Sequence, residues 1–275
     1  MSNFWIVLIG ALLIGGSTSI VGVWLVLRRE SLKGDVLAHG VLPGIAIAFL
    51  LYPSKNILFM LSGASISALV ALQTMNLLQK YTKLKLDTQM ALVLSFFFAL
   101  GLWLLVKIQF LGNSSKSGLE SFIFGKMASM LPKDIFNAFL VFILVASINF
   151  LYKKRLFWAT FDENFTKSIG ISVVFTKNLL TIMTVATIVV GLQAVGIVMM
   201  AAMLVTPAAV ATFMIKNNLN KIFIVSGLIS MISIFLGTLL SYFFPKTPTG
   251  PWVVVICSLI AFIVIFLSKN IKREK

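Results

Sequence analysis

The sequence is poor in the residues from which a single chain builds catalytic and metal centres. It has one cysteine, Cys257, and one histidine, His39, among 275 residues. A lone cysteine excludes an intrachain disulfide or thiolate cluster, and a lone histidine excludes a zinc enzyme with two histidine ligands. No GxxxxGK segment followed by Ser or Thr is present, so the chain does not bind ATP through a P-loop. A serine or cysteine nucleophile would find no base other than His39, which disfavours an intramembrane hydrolase.

Acidic residues are scarce as well: eight Asp and Glu stand against 23 Lys and Arg, which gives a net charge of +15. Such a charge is compatible with a nucleic-acid partner. The basic residues cluster at the ends of apolar runs, however, which is where membrane proteins carry them. We therefore expect contact with membrane lipid and no nucleic-acid partner.

Apolar residues are present in excess, since 59% of the chain is hydrophobic and only 11% is charged; the mean hydropathy is +1.04. Several apolar runs exceed the roughly 18 residues that cross a bilayer as a helix. The first ten residues show no basic start and no cleavage site, so the first span is expected to be retained. The sequence predicts an all-α, polytopic membrane protein with residues 1–275 in one transmembrane domain. The predicted spans are 4–27, 33–52, 56–79, 88–110, 133–152, 178–195, 197–215, 222–244 and 251–268.

The number of spans depends on residues 178–215, where two short spans must turn between Gly191 and Gly196. A single helix with a broken or re-entrant piece would give eight spans instead of nine. Irregular backbone at membrane depth needs cover from protein or water, and Pro207 frees a helical carbonyl. Gln193 and Pro207 are therefore candidates for a pathway or a helix break.

The distribution of charge predicts the orientation of the chain. With nine spans and the N-terminus outside, most of the 23 basic residues fall on the cytoplasmic side, as the positive-inside rule requires. The C-terminus and the connection 153–177 are then cytoplasmic, and the connection 111–132 is extracytoplasmic.

The second predicted span carries Asp35 and His39 four residues apart, which places them on one helical face. Pro43, four residues further on, frees the carbonyl of His39 and is a third candidate for a pathway or a helix break. Ionisable residues inside a membrane are costly and are kept mainly where they pair or line a pathway. A carboxylate and an imidazole suit manganese, iron(II) or zinc, but two ligands are too few for a tight site, so a second copy, carbonyls or water would complete it. The alternatives are an Asp35–His39 hydrogen bond that clamps two helices, or a surface position close to Arg29.

The connection 153–177 contains the segment TFDENFTKSIGI, residues 160–171. A short helix is expected here, capped by Thr160 or Asp162 and ended by Gly170. Such a helix would suit a soluble partner, and the simpler alternative is a solvated connector. The candidate partner contacts are Thr160, Phe161, Asp162, Glu163, Phe165 and Gly170.

Five segments, taken in order, resemble the permease subunits of bacterial ABC importers for manganese, zinc and iron. The resemblance covers about residues 4–268, and the GDxxxHxxxPG core is specific in combination with the later QAVG and TPAA block. The segments are SLKGDVLAHGVLPGIAIAFLL, SGLESFIFGKMASM, TFDENFTKSIGI, GLQAVGIVMMAAMLVTPAAVA and PTGPWVVV.

This resemblance implies the ABC importer permease fold in a bacterial cell membrane, with Asp35 and His39 as ligands of the transported ion. It also implies cytoplasmic ABC ATPase subunits that contact residues 160–171, an extracytoplasmic metal-binding protein, and a second permease protomer, identical or related. The HGVLPGIA and SGLESFIFG segments are closer to the manganese and iron branch, while zinc stays open. The divalent ion is cargo, so no bound cofactor and no enzymatic activity are expected.

Two other classes of function stay open on the residues alone. One is a proton-coupled secondary metal transporter in which Asp35 and His39 relay protons. The other is a membrane scaffold or enzyme in which the same pair clamps two helices. Both differ from an ATP-driven importer in having no ATPase partner.

Overall fold

The computed structural model of the protein describes residues 2–51, 57–110, 130–244 and 247–271. Within these ranges the chain forms helices and no strands, which confirms the all-α class. Most of the predicted connection 111–132 lies outside the described residues. The helices are α1 (Ser2–Leu27), α2 (Leu32–Leu51), α3 (Ile57–Tyr81), α4 (Leu86–Phe110), α5 (Pro132–Phe161), α6 (Glu163–Ser168), α7 (Val173–Val195), α8 (Ile197–Met214), α9 (Leu219–Phe243) and α10 (Thr249–Ile271).

Eight of the described helices are long and apolar enough to cross a membrane. They are α1 to α5, α7, α9 and α10, and each overlaps one of the predicted spans. The ninth predicted span corresponds to α8, whose apolar stretch is the shorter Met199–Met214. The two predicted counts, nine and eight, therefore differ only in how α8 is treated.

Helices α7 and α8 form a hairpin that turns at Gly196. This residue has a φ of 86°, a left-handed conformation that glycine adopts without the steric cost of a side chain. The first turns of α7 lie at the same end of the bundle as α6, because Lys177 pairs with Glu163. Ala208 of α8 returns to that end and packs beside Val23, near the last turn of α1.

The break between α7 and α8 is at Gly196, whereas the candidates Gln193 and Pro207 lie within helices. α7 continues through Gln193, whose side chain is not among the described ones, and α8 continues through Pro207. A proline lacks the amide for one helical hydrogen bond, but neighbouring helices can compensate for that loss in a membrane bundle. Pro207 is buried among such neighbouring helices.

One end of the bundle carries most of the described basic residues. The guanidinium of Arg28, after α1, donates to the carbonyl of Ala159 near the end of α5. Lys153 of α5 donates to the side chain of Asn220 in α9. The turns after α1, α5 and α8 therefore meet at this end, which we call the basic end. At the opposite end, the ring of Phe4 contacts Tyr242, with 5.5 Å between ring centroids.

The predicted loop 153–177 is wrong over most of its length. α5 continues nine residues past the predicted end of its span at 152, α6 follows almost at once, and α7 begins at Val173. Charged residues end an apolar run, but Lys, Arg, Leu and Ala are good helix formers and do not end a helix. Leu156 and Ala159 in this extension are each 1% exposed, so packing at the basic end stabilises it.

Small residues let α2 lie in backbone contact with its neighbours. A Cβ at Gly44 would meet the carbonyl oxygen of Gly63 in α3, and a Cβ at Gly101 of α4 would meet Leu42 and Pro43. Close approach of this kind replaces hydrophobic driving force in membrane helix packing. α2 is thus held between α3 and α4, with one remaining face turned towards α8.

Candidate functional site

Asp35 and His39 lie one turn apart on α2 and line the same cavity of about 510 Å³. The opposite wall is α8, which contributes Ala201, Val205 and Thr206, and Val254 of α10 closes one side. The cavity begins beside the turn between α1 and α2, where Ser31 lines it. The predicted pair therefore faces a partly polar cavity between α2, α8 and α10.

The two side chains carry buried polar atoms that have no partner in the described part of the chain. These atoms are Oδ1 of Asp35 and Nδ1 of His39. Buried polar groups are nearly always hydrogen-bonded, because an unsatisfied one costs about 1–3 kcal/mol. The His39 ring instead makes an edge contact with Phe98, at 4.7 Å between ring centroids. Among the described residues, Asp35 and His39 therefore do not form the hydrogen bond that a helix clamp would need.

The number of ligand side chains limits what one chain can bind. Among the described residues, no group of three or more His, Cys, Asp and Glu side chains is close enough to hold a metal ion. Zinc takes four ligands, and hard divalent cations take six or more. Asp35 and His39 fit the donor types of such an ion but supply only part of its shell.

The predicted pathway residues Pro43 and Pro207 are not among the residues that line this cavity. Pro43 faces the α3 and α4 side of α2, where it lines a separate apolar groove of about 440 Å³. Pro207 is buried, and its neighbour Thr206 faces the cavity. Sequence reasoning missed Thr206, although a hydroxyl directly before a proline in an apolar run was a visible signal.

The predicted short helix is α6, and its ends are built as expected. The Oδ1 atom of Asp162 accepts the amide of Phe165 at 2.9 Å, so Asp162 is the N-cap. Gly170 has a φ of 76°. Its amide donates to the carbonyl of Lys167, and the amide of Ile171 donates to the carbonyl of Thr166, both at 3.1 Å. This pair of bonds is a Schellman motif, which stops a helix.

Two of the predicted contacts belong to α5 and not to α6. Thr160 does not cap α6, because its hydroxyl donates to the carbonyl of Leu156 inside α5. Phe161 is the last residue of α5. Its ring is exposed, as is that of Phe165 in α6, so the α5–α6 junction presents aromatic surface at the basic end.

A chain of ion pairs connects α6 to the first turn of α2. Glu163 lies 2.7 Å from Lys177 and 3.6 Å from Arg28. Arg28 lies 3.3 Å from Glu30, which in turn lies 3.0 Å from Lys33. Burial raises the pKa of Glu30, but Lys33 and Arg28 outweigh burial, and the net pKa of this carboxyl is below its ordinary value.

Comparison with known proteins agrees with this architecture. Residues 2–268 match the ABC 3 transport family. The manganese transport system membrane protein MntC of Bacillus subtilis is 37% identical over 92% of this chain, which spans 58% of that relative's length. The zinc transport system membrane protein TroC of Treponema pallidum is 35% identical, over 95% of this chain and 88% of the relative.

A solved structure has the same fold. It is PsaBC from Streptococcus pneumoniae in complex with Fab, which matches 98% of this chain and 94% of the compared chain at 28% identity, with a TM-score of 0.83. The fold, the length of the family match and the identities to relatives agree with one another. The chain therefore belongs to the ABC 3 transport family, as a multi-pass membrane permease that is not itself an enzyme.

Proposed function

We propose that this permease moves a divalent transition metal ion into the cell and that Asp35 and His39 contact the ion during its passage. The observation that carries the proposal is the pair of buried, unpartnered atoms, Oδ1 of Asp35 and Nδ1 of His39, in one cavity. A carboxylate oxygen and an imidazole nitrogen are the donors that manganese, iron(II) and zinc share. A transported ion would satisfy both atoms at once.

Manganese is the favoured cargo, with zinc and iron(II) as alternatives. The relatives named above are described as manganese and zinc transport proteins. Relatedness therefore supports a divalent transition metal as the cargo more strongly than it supports any one metal. The ligand types do not separate these metals, because metal availability and geometry often decide selectivity in such sites. Uptake measured with each ion in competition would rank them.

The partial ligand set supports a second permease protomer, identical or related, that completes the site. The exposed aromatic residues of the α5–α6 junction support docking of a cytoplasmic ABC ATPase at the basic end. The positive-inside rule supports an N-terminus outside and a C-terminus in the cytoplasm. An extracytoplasmic metal-binding protein would deliver the ion at the opposite end.

Metal uptake by cells that depend on this transporter tests the proposal. The Asp35→Asn and His39→Ala variants should each lower manganese accumulation at least tenfold, because each removes one of two ligands, while complex assembly and the melting temperature stay close to those of the parent. Asp87→Asn is the matched control, since Asp87 is an exposed carboxylate in the first turn of α4. Normal accumulation by both site variants would overturn the proposal.

The energy source separates the importer from a proton-coupled transporter. Membership in an ABC family favours ATP. Uptake should therefore stop when the ATPase subunit carries an inactivating substitution, and it should persist when a protonophore collapses the proton gradient at constant ATP. The reverse pattern would support proton coupling.

A further inference from the structure

Arg28 is a buried charge that connects three segments of the chain at the basic end. Its side chain is only 7% exposed. The guanidinium donates through Nε to Glu30 of the α1–α2 turn and through Nη1 to the carbonyl of Ala159 in α5, each at 3.3 Å, and its Nη2 lies 3.6 Å from Glu163 of α6. The planar fork of arginine suits such divided contacts, which a lysine cannot reproduce.

The turn that carries Arg28 is closed tightly onto α1. The amide of Arg29 donates to Val26 at 3.0 Å, and the amide of Glu30 donates to Leu25 at 2.8 Å. These two bonds form a Schellman motif with Arg29 in the left-handed position, at a φ of 57°. A non-glycine residue in this conformation is strained and persists only where its surroundings hold it.

The same turn is fastened to the beginning of α2. Lys33 donates from its amide to the carbonyl of Glu30 at 2.9 Å and from its ammonium to the Glu30 carboxylate at 3.0 Å. Lys33 is the second residue of α2. Asp35 belongs to the same first turn, so Glu30 connects Arg28 to the turn that bears the candidate ligand.

We propose that Arg28 is a positioning residue that makes the first turn of α2 follow α6 when an ATPase moves α6. The inference rests on the proposed function, in which α6 is the segment that contacts the ATPase. The ion pairs of Glu163 lead in two directions. The contact with Lys177 is exposed and leads to α7, whereas the contact with Arg28 is buried on the arginine side and leads through Glu30 and Lys33 to the turn of α2 that bears Asp35. Exposed ion pairs contribute little to stability, whereas loss of one partner from a buried pair is costly. The contact between Glu163 and Arg28 therefore carries the coupling.

The test uses the full complex in proteoliposomes, with manganese outside and ATP inside. Arg28→Gln should reduce the manganese ions transported per ATP hydrolysed at least fivefold, while the ATPase still co-purifies and still hydrolyses ATP. Lys177→Gln is the matched control, because it removes the other ion pair of Glu163, and it should stay within twofold of the parent. Arg28→Lys keeps the charge but not the three contacts, so it should recover the ratio only in part. If Arg28→Gln gives less complex but transports as many manganese ions per ATP as the parent, Arg28 has only a structural role and the proposal is overturned.

A second measurement does not depend on Arg28→Gln folding. Glu163→Ala leaves Arg28 bonded to Glu30 and Ala159. Of the contacts that Arg28 makes, it removes only the one to α6. A fluorophore at Arg29→Cys, in a Cys257→Ser background, reports movement of the turn when ATP and vanadate trap the ATPase. The parent should show an emission shift that Glu163→Ala loses and Lys177→Gln retains. A shift that survives in Glu163→Ala would refute the coupling route.

The emission shift and the transport assay fail in different ways. The fluorophore reports motion whatever the cargo is. If the background protein shows the shift but takes up none of the three metals, the proposed function fails and the coupling route stands. If the metal is transported and the shift is insensitive to Glu163→Ala, the coupling route fails and the function stands.

Discussion

The hydroxyl of Ser67 in α3 donates a 2.6 Å hydrogen bond to the carbonyl of Gly40, the residue that follows His39 in α2. This bond is buried. Because Pro43 has no amide hydrogen, the carbonyl of His39 lacks its usual partner within α2. At this turn α2 is therefore held by α3 as well as by its own hydrogen bonds, and the placement of the imidazole depends on that neighbour.

Ser67→Ala should lower both stability and uptake modestly. The lost bond contributes about 1 kcal/mol, so the melting temperature of the purified protein should fall by a few degrees. Metal uptake per folded molecule should fall as well, because the turn beside His39 loses its anchor. Ser65→Ala is the control, since that hydroxyl bonds only within its own helix, to Leu61. Equal losses of uptake in both variants would contradict this account.

Gly44→Ala and Gly63→Ala should each destabilise the protein strongly. A Cβ at either position would overlap the backbone of the other helix, so α2 and α3 would have to separate. Gly227→Ala in α9 is the matched control, because its Cβ would have only Ser19 nearby, at 3.9 Å. That variant should melt at or above the parental temperature, since alanine favours helix by about 1 kcal/mol over glycine. Thermal melting in detergent distinguishes the three.

Asp162→Ala should weaken capture of the ATPase subunit. Loss of an N-cap costs about 1 kcal/mol, which is large for a helix of six residues, Glu163–Ser168. Asn218→Ala removes a similar cap, from α9 at the same end of the bundle. Co-purification of the ATPase should fall several-fold only for Asp162→Ala. A comparable fall for Asn218→Ala would mean that the α6 cap has no special part in docking.

The stabilisation supplied by Glu30 should depend on pH in the acid range. The pKa of this carboxyl in the folded protein lies below its ordinary value of 4.5, so the folded state favours the ionised form. Its contribution is therefore complete above about pH 4.5 and is lost as the pH falls through the lowered pKa. The melting temperatures of the parent and of Glu30→Gln should differ by a constant amount from pH 7 to pH 5. The difference should shrink below pH 4.5, and a difference that grew on acidification would refute this assignment.

Local patterns made much of this fold predictable. Apolar runs located the spans, and the order of Asp162, Glu163 and Gly170 located α6, because helix ends depend on residues within one turn. The length of the apolar stretch 178–215 and its glycines also predicted a turn near Gly196. The extension of α5 was missed because hydropathy marks where a helix leaves lipid and not where it ends.

The surroundings of the site depend on contacts that no local pattern contains. Arg28 reaches Ala159 across 131 residues of sequence, and its neighbours in the chain look like an ordinary basic turn. Thr206 faces the same cavity as Asp35 only because α8 turns back at Gly196. The spacing of Asp35 and His39 predicted a shared face, whereas the identity of the opposite wall required the structure.

The extension of α5 determines where α6 lies relative to the lipid. Nine residues beyond Tyr152 add about 13 Å at 1.5 Å per residue, measured from the predicted end of the apolar run. The headgroup layer on each side of a bilayer is about 5–8 Å thick. In the proposed orientation, we therefore expect α6 to lie at the outer edge of the headgroup layer or beyond it. A soluble ATPase can bind it there without displacing lipid, and the composition of the membrane should have little influence on that contact.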